Sequence, residues 1–181
     1  SRISPIQLLR SEIEYLKQAR AVFIQASNEV FEKVLRVCEK NNIPLFVTLQ
    51  KEKAPRIDLL KSPIIKAVFA NDDEITQEVL ALEDKIVAVT YGAKGSVIRH
   101  KGREIVHDAF AVDAVDSTGA GDAFAGAFIY GHLSGWELAE TARFSNFLGA
   151  VASTTFGSRE ALRNVSKEEL LKSYASLPNP G

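Results

Sequence analysis

The residues best suited to chemistry lie in the segment AVDSTGAGDAFAGAF, residues 114–128. Its middle is a turn of small residues, Gly119-Ala120-Gly121, and Asp122 follows at once, in the first turn of a predicted helix. A glycine-rich turn that opens a helix exposes several backbone N–H groups at the positive end of the helix dipole, which suits a phosphate or a developing oxyanion. The carboxylate of Asp122 could then accept a proton from a hydroxyl that attacks the phosphate. A purely structural role is the alternative, because such turns often only connect a strand tightly to a helix.

Apolar runs of strand type alternate with helical patterns over the first half of the chain. The strand-like runs occupy residues 21–26, 43–49, 67–70 and 85–91, and the spacing predicts helices between them, including one around residues 57–66 and one at 72–82. Residues 95–112 alternate between apolar and polar around Lys101-Gly102, which predicts a β-hairpin. Long helices are predicted at 119–133 and 136–156, and Ser166 is placed to cap a last short helix.

This order of elements predicts an α/β fold. Strands that are apolar on both faces and separated by helices imply a doubly wound, mostly parallel sheet flanked by helices, here with a hairpin at its edge. In such sheets ligands bind beyond the carboxyl ends of the strands, so we expect the loops after residues 70, 91 and 115 to share one crevice.

Composition narrows the class of function. Lys and Arg total 22 against 23 Asp and Glu, giving a net charge of −1, so no global basic field exists to hold a nucleic acid. No apolar run has the length of a membrane span, and the chain has one cysteine, Cys38. We therefore expect a folded protein of the cytoplasm that binds neither nucleic acid nor membrane.

The segment from Asp116 to Asp122 resembles the C-terminal signature of the ribokinase-like (PfkB) carbohydrate kinases, and Gly126-Ala127 continues it. Residues 71–74, NDDE, are similar to the family's Asn-x-x-Glu, and residues 89–96, VTYGAKGS, to its Thr-x-Gly-x-x-Gly nucleotide loop. The motifs occur in the family's order. The form of the signature, together with the Ala-Pro at residues 54–55, leans toward the adenosine-kinase-like branch.

The resemblance implies an ATP-dependent kinase that transfers the γ-phosphoryl group to a primary hydroxyl of a sugar or nucleoside. Asp122 would be the base, and the backbone of Gly119, Ala120 and Gly121 would neutralise charge on the phosphoryl group. The other implied roles are Asn71 and Glu74 for Mg²⁺, Thr90, Gly92 and Gly95 for the ribose and phosphates of ATP, Asn146 and Gly157 for the adenine pocket, and Asp116 and Thr118 for a monovalent cation such as K⁺. Two of these motifs have structural alternatives: Asn71 as a helix N-cap, and the residue 90–95 loop as a hairpin turn.

The resemblance also implies what this sequence lacks. The family's sugar-contacting N-terminal motifs and its small β lid have no counterpart here, so we expect residues 1–181 to form a single nucleotide-binding and catalytic α/β domain that is incomplete at its N-terminus. A homodimer is a candidate assembly, since the lid in this family often forms a dimer surface. A nucleotide-binding module without catalysis, or a fragment of such a kinase, is the alternative function.

Overall fold

A computed structural model of the chain describes residues 8–26, 28–51, 56–157, 160–163 and 165–178. Within them the strands are Val22–Gln25 (β1), Leu45–Thr48 (β2), Ile65–Asn71 (β3), Ile86–Thr90 (β4), Ser96–His100 (β5) and Arg103–His107 (β6). The helices are Arg10–Leu16 (α1), Asn28–Asn41 (α2), Ile57–Leu60 (α3), Gln77–Leu80 (α4), Ala120–Leu133 (α5), Leu138–Ala152 (α6), Glu160–Arg163 (α7) and Lys167–Ala175 (α8). A single 3₁₀ turn, Gly92–Lys94, separates β4 from β5.

The six strands form one mixed sheet in the order of the sequence, from β1 at one edge to β6 at the other. β1 is parallel to β2, and β2 is parallel to β3. β5 and β6 form the edge hairpin, and its two turn residues have positive φ values, 50° at Lys101 and 70° at Gly102. Two consecutive positive φ angles are the mark of a type I′ turn, whose twist matches that of the strands. The α/β class and the edge hairpin predicted from the sequence are confirmed.

The chain divides into two compact units, and each is described by itself. The first unit comprises Ser1–Val89 and Val97–Glu104. Its core is built on β2, in which Leu45, Phe46 and Val47 are fully buried. Burial of successive side chains means that both faces of this strand are covered, which is typical of a central parallel strand.

The second unit comprises Thr90–Ser96 and Ile105–Gly181. Its core joins α5, α6 and α8 through aromatic side chains: the Phe144 ring of α6 lies 6.2 Å from that of Tyr130 on α5 and, in an edge contact, 5.0 Å from that of Tyr174 on α8. Edge-to-face contacts of this kind stabilise a core beyond the area they bury. This unit holds the small-residue turn that opens α5. The prediction of one domain over residues 1–181 stays a prediction.

Candidate active site

The turn before α5 has the backbone form that the sequence requires. Gly119 is the N-cap of α5 and has a φ of 83°, a left-handed conformation that glycine adopts without a steric penalty. The amide of Ala120 donates to the carbonyl of Ser117 at 3.1 Å, and that of Ala123 donates to the carbonyl of Gly119 at 2.9 Å. Gly119 has no side chain with which to cap the helix.

Three backbone N–H groups at this end, those of Gly119, Gly121 and Asp122, have no acceptor among the described residues, whereas the amide of Ala120 is taken by the carbonyl of Ser117. The amides of Gly121 and Asp122 lie in the first helical turn, where no acceptor exists within the helix, and neither finds another acceptor among the described residues. Asp122 is exposed, and its carboxylate has no hydrogen bond or ion pair in the described part of the chain. A Cβ built at Gly121 would meet nothing within 4 Å. Within the described residues, N–H donors without an acceptor, a helix dipole and a carboxylate without a partner therefore occur in one helical turn, as an anion-binding site with a base requires.

Asp116 fixes the loop that leads into this turn. Its Oδ1 accepts a hydrogen bond from the amide of Thr118 at 2.9 Å, and its Oδ2 accepts one from the amide of Gly157 at 3.0 Å. The hydroxyl and amide of Thr118, followed by the amide of Gly157, lower the pKa of Asp116 below its ordinary value. The carboxylate is therefore ionised at neutral pH, and it joins the turn at Thr118 to Gly157, which lies 41 residues after Asp116 in the sequence.

Helix α6 supports the same loop from its C-terminal end. The carbonyl of Ser153 accepts hydrogen bonds from the amides of Val115, at 2.8 Å, and Asp116, at 3.1 Å. One turn earlier, Gly149 lies against the opening of α5, since a Cβ at that position would come within 3.3 Å of the carbonyl oxygen of Ala120. The supporting carbonyl of Ser153 had no signal in the sequence, because every residue carries the same group.

Asn146, also on α6, is buried with 7% of its surface exposed. Its amide nitrogen donates to the hydroxyl of Ser96 at 2.7 Å and to the carbonyl of Ala142 at 2.9 Å. The side chain thus ties α6 to the start of β5, which directly follows the residue 90–95 loop. A contact of Asn146 with adenine stays a prediction.

The residue 90–95 loop is closed by a hydrogen bond of 2.8 Å from the amide of Tyr91 to the carbonyl of Gly95. Gly95 has a φ of 94°, and a Cβ there would collide with the carbonyl oxygen of His107 and lie 2.6 Å from the amide nitrogen of Ala109. The chain's own backbone therefore requires a glycine at 95. Gly92 also has a positive φ, 56°, but a Cβ there would meet nothing within 4 Å, so this side of the loop is open.

Asn71 and Glu74 belong to the first unit, where they close a turn at the end of β3. The amide of Asn71 donates to Glu74 Oε2 at 3.0 Å, and Asn71 Oδ1 accepts from the amide of Asp73 at 2.9 Å. Both side chains are thus held in place, although Asn71 caps a turn and not the predicted helix. Among the described residues no group of three or more His, Cys, Asp or Glu side chains could hold a metal ion.

The structure brings one subset of the expected site residues together. Gly119, Ala120, Gly121 and Asp122 are consecutive at the start of α5. The hydrogen bonds of Asp116 join Thr118 and Gly157 to the loop that precedes them. Thr90, Gly92 and Gly95 share a second loop of the same unit. The assignment of these residues to ATP, Mg²⁺ and K⁺ stays a prediction.

The fold is that of the ribokinases. The structure of Arabidopsis thaliana ribokinase complexed with ribose and ATP matches 92% of this chain with a TM-score of 0.76 and 22% identity, and the match covers 59% of that chain. The ribokinase of Thermotoga maritima matches 91% of this chain with a TM-score of 0.75, again at 22% identity and over 59% of its own length.

The family model described as pfkB family carbohydrate kinase matches residues 4–164. The chain belongs to this family. It is 36% identical over 99 residues to an uncharacterized sugar kinase of Archaeoglobus fulgidus, covering 54% of this chain and 40% of that protein. It is 36% identical over 102 residues to the ATP-dependent ribose-1-phosphate kinase of Halopiger xanaduensis, covering 52% of this chain and 34% of that protein. It is 26% identical over 182 residues to Bacillus subtilis ribokinase, covering 93% of this chain and 60% of that protein.

The chain thus spans between about a third and three fifths of the length of these curated relatives. Within the part that the structure describes, no helix is both long and apolar enough to cross a membrane.

Proposed function

We propose that this chain carries the nucleotide site and the base of an ATP-dependent kinase, which transfers the γ-phosphoryl group of ATP to a primary hydroxyl of a sugar or nucleoside. The relatives support the class of reaction, since they include a ribokinase and an ATP-dependent ribose-1-phosphate kinase. One observation carries the proposal: in the first turn of a 14-residue helix, the carboxylate of Asp122 and the amides of Gly121 and Asp122 have no partner among the described residues. The single cysteine supports a place in the cytoplasm.

This arrangement has what phosphoryl transfer needs from a protein, namely positioning and electrostatic stabilisation. The acceptor hydroxyl oxygen forms a bond to the γ-phosphorus while the bond from that phosphorus to the β,γ-bridging oxygen breaks, and ADP leaves with the electron pair. The hydroxyl proton passes to the carboxylate of Asp122. The amides of Gly121 and Asp122 stabilise the negative charge on the phosphoryl oxygens, because preorganised N–H donors need no rearrangement during the reaction.

Mg²⁺ and ATP fit the residues available. Glu74 uses Oε2 to hold the amide of Asn71, while its Oε1 has no hydrogen bond within the described residues, so one carboxylate oxygen remains for a hard cation. Mg²⁺ is commonly held by one or two carboxylates together with water and substrate phosphates. When bound, it would offset the phosphate charge. The open side of the loop at Gly92 suits close approach of a nucleotide. The putative ribokinase II of Escherichia coli, whose structure contains ATP and Mg²⁺, has the same fold, with a TM-score of 0.71.

The test is a comparison of Asp122→Asn with the wild-type protein. We expect ATP-dependent phosphorylation across a panel of sugars and nucleosides, with ADP release lowered by about 10²- to 10⁴-fold in the variant, as is typical for loss of a general base. The Kd of ATP, measured by calorimetry, should stay near that of the wild type. Asp113→Asn is the matched control, since Asp113 is an exposed aspartate of the preceding loop, and it should leave both quantities unchanged. Full activity of Asp122→Asn would refute the proposal.

A second variant tests the phosphate site separately from the base. Because a Cβ at residue 121 meets open space, Gly121→Trp should keep the fold while its indole covers the open amides. ATP binding should be lost and the far-UV circular dichroism preserved. A wild-type protein that binds ATP but transfers its phosphoryl group to no acceptor would favour the nucleotide-binding module instead.

A further inference from the structure

We propose that Asp116 is a positioning residue, whose carboxylate holds the phosphate turn, residues 118–121, and the turn at Gly157 in one fixed arrangement. The inference rests on the function proposed above. It adds a task for Asp116 that needs no bound ion, because both contacts are made to the chain's own backbone.

The carboxylate is shared between two distant parts of the chain. Oδ1 receives the amide of Thr118 at 2.9 Å and Oδ2 receives the amide of Gly157 at 3.0 Å. Hydrogen bonds to an ionised acceptor are stronger and more demanding in geometry than those between neutral groups. Thr118 directly precedes Gly119, the N-cap of α5. A shift of the Asp116 carboxylate would therefore also displace the open amides of Gly121 and Asp122.

The loop backbone is fixed at the same point. The carbonyl of Ser153, at the end of α6, accepts the amides of Val115 and of Asp116 itself. With its backbone held by α6, Asp116 can act as a rigid support through its side chain. Thr118 and Gly157 are exposed, and hydrogen bonds at exposed positions add little to global stability. We therefore expect the bridge to govern local geometry more than the unfolding equilibrium.

The exposed amides need that support, because small displacements are costly in a phosphoryl-transfer site. A misplacement of about 1 Å can lower a rate by roughly 10²-fold. Asp116→Asn is the sharpest perturbation. The side-chain amide keeps one acceptor oxygen but presents an NH₂ group to the second backbone N–H, so one of the two turns is released.

The experiment compares Asp116→Asn with Glu169→Gln. Glu169 is a matched control: its carboxylate also accepts a backbone amide, that of Ser166 at 2.8 Å, and hydrogen bonds to Ser166 also lower its pKa, but it caps α8. In ¹H–¹⁵N spectra, we expect Asp116→Asn to move the amide resonances of both Thr118 and Gly157 upfield, one because its acceptor is lost and the other because its acceptor is no longer charged. In the kinetic assay, the kcat of Asp116→Asn should fall by about tenfold to a hundredfold, as for loss of alignment. Its Tm should shift no more than that of Glu169→Gln, and Glu169→Gln should keep the wild-type kcat and KM.

The outcomes separate the two proposals. Unmoved Thr118 and Gly157 resonances would mean that the bridge does not exist. Moved resonances with unchanged kcat and KM would reduce Asp116 to a local structural role and overturn the inference, while leaving the kinase function intact. If the wild-type protein neither binds nucleotide nor transfers a phosphoryl group, the proposed function is overturned, and the inference about catalysis fails with it. The two failures are distinguishable, because the first is measured on the wild-type protein and the second on Asp116→Asn.

Discussion

Gly95→Ala tests the packing that holds the residue 90–95 loop. The methyl group would sit on a residue with a φ of 94° and would collide with the carbonyl oxygen of His107, while lying 2.6 Å and 2.7 Å from atoms of Ala109 and Asp108. With a φ of 94° and a ψ of −139°, residue 95 lies in a backbone region that glycine occupies almost alone, and this costs about 1–3 kcal/mol for a residue with a Cβ. Moving a backbone neighbour to relieve the overlap costs about 1–3 kcal/mol more. The expected loss is about 2–6 kcal/mol, which corresponds to a fall in Tm of roughly 4–24 °C for a chain of this size.

Gly102→Ala is the matched control. Gly102 also has a positive φ, 70°, but a Cβ there would meet nothing within 4 Å. It should therefore show only the backbone cost, about 1–2 kcal/mol. Both variants are compared with wild type by urea unfolding followed by circular dichroism. If Gly95→Ala were no more destabilising than Gly102→Ala, the close approach of residue 95 to residues 107–109 would be wrong.

The remaining predictions concern the second unit's helix pair and the buried thiol. Gly131→Ala should lower the free energy of unfolding by about 1–3 kcal/mol through overpacking, because a Cβ there would lie 2.9 Å from Thr141 Oγ1. Gly126 lies on the open face of the same helix, so Gly126→Ala should instead raise the free energy of unfolding by about 0.5–1 kcal/mol. The reverse order of the two urea midpoints would contradict this packing. Burial, with a smaller effect from Glu39, raises the pKa of Cys38 to about 11. The folded state therefore keeps a proton that the unfolded chain releases, so stability should fall as pH rises from about 9 to 11, and the fall should be smaller in Cys38→Ala; equal slopes for the two proteins would contradict it.

Local sequence signals were enough to predict the elements that begin or end at characteristic turn and capping residues. The Lys101-Gly102 turn, the small-residue opening of α5 and the helix cap at Ser166 all lie where the sequence predicts them. Each depends on residues within three or four positions of one another. Such contacts can be recognised from residue type and spacing alone.

The helix predicted at residues 72–82 is wrong in its extent, since α4 spans only Gln77–Leu80. The apolar spacing was compatible with a longer helix. The turn closed by the Asn71 amide and the Glu74 carboxylate takes up the first residues instead. Side chains of this type compete with the helix for backbone groups, and the helical pattern does not reveal which arrangement wins.

The tertiary contacts of the candidate site could not be predicted from sequence. Asp116 was expected to hold a cation, and its partner Gly157 lies 41 residues away, so no local pattern reports the bridge. Gly95 was expected to approach a nucleotide, but the backbone of residues 107–109 already demands a glycine there. In both cases the residue type was recognised, while its neighbour became visible only in the folded chain.

The most direct measurement is a ¹H–¹⁵N titration of the protein with Mg²⁺ and ATP, read at the amides of Gly121 and Asp122. Because these two N–H groups have no acceptor among the described residues, phosphate oxygens should become their hydrogen-bond partners and move both resonances strongly downfield. ADP, which lacks the γ-phosphate, should shift them less. If ATP binds and leaves these two amides unmoved, the turn that opens α5 is not the phosphate site.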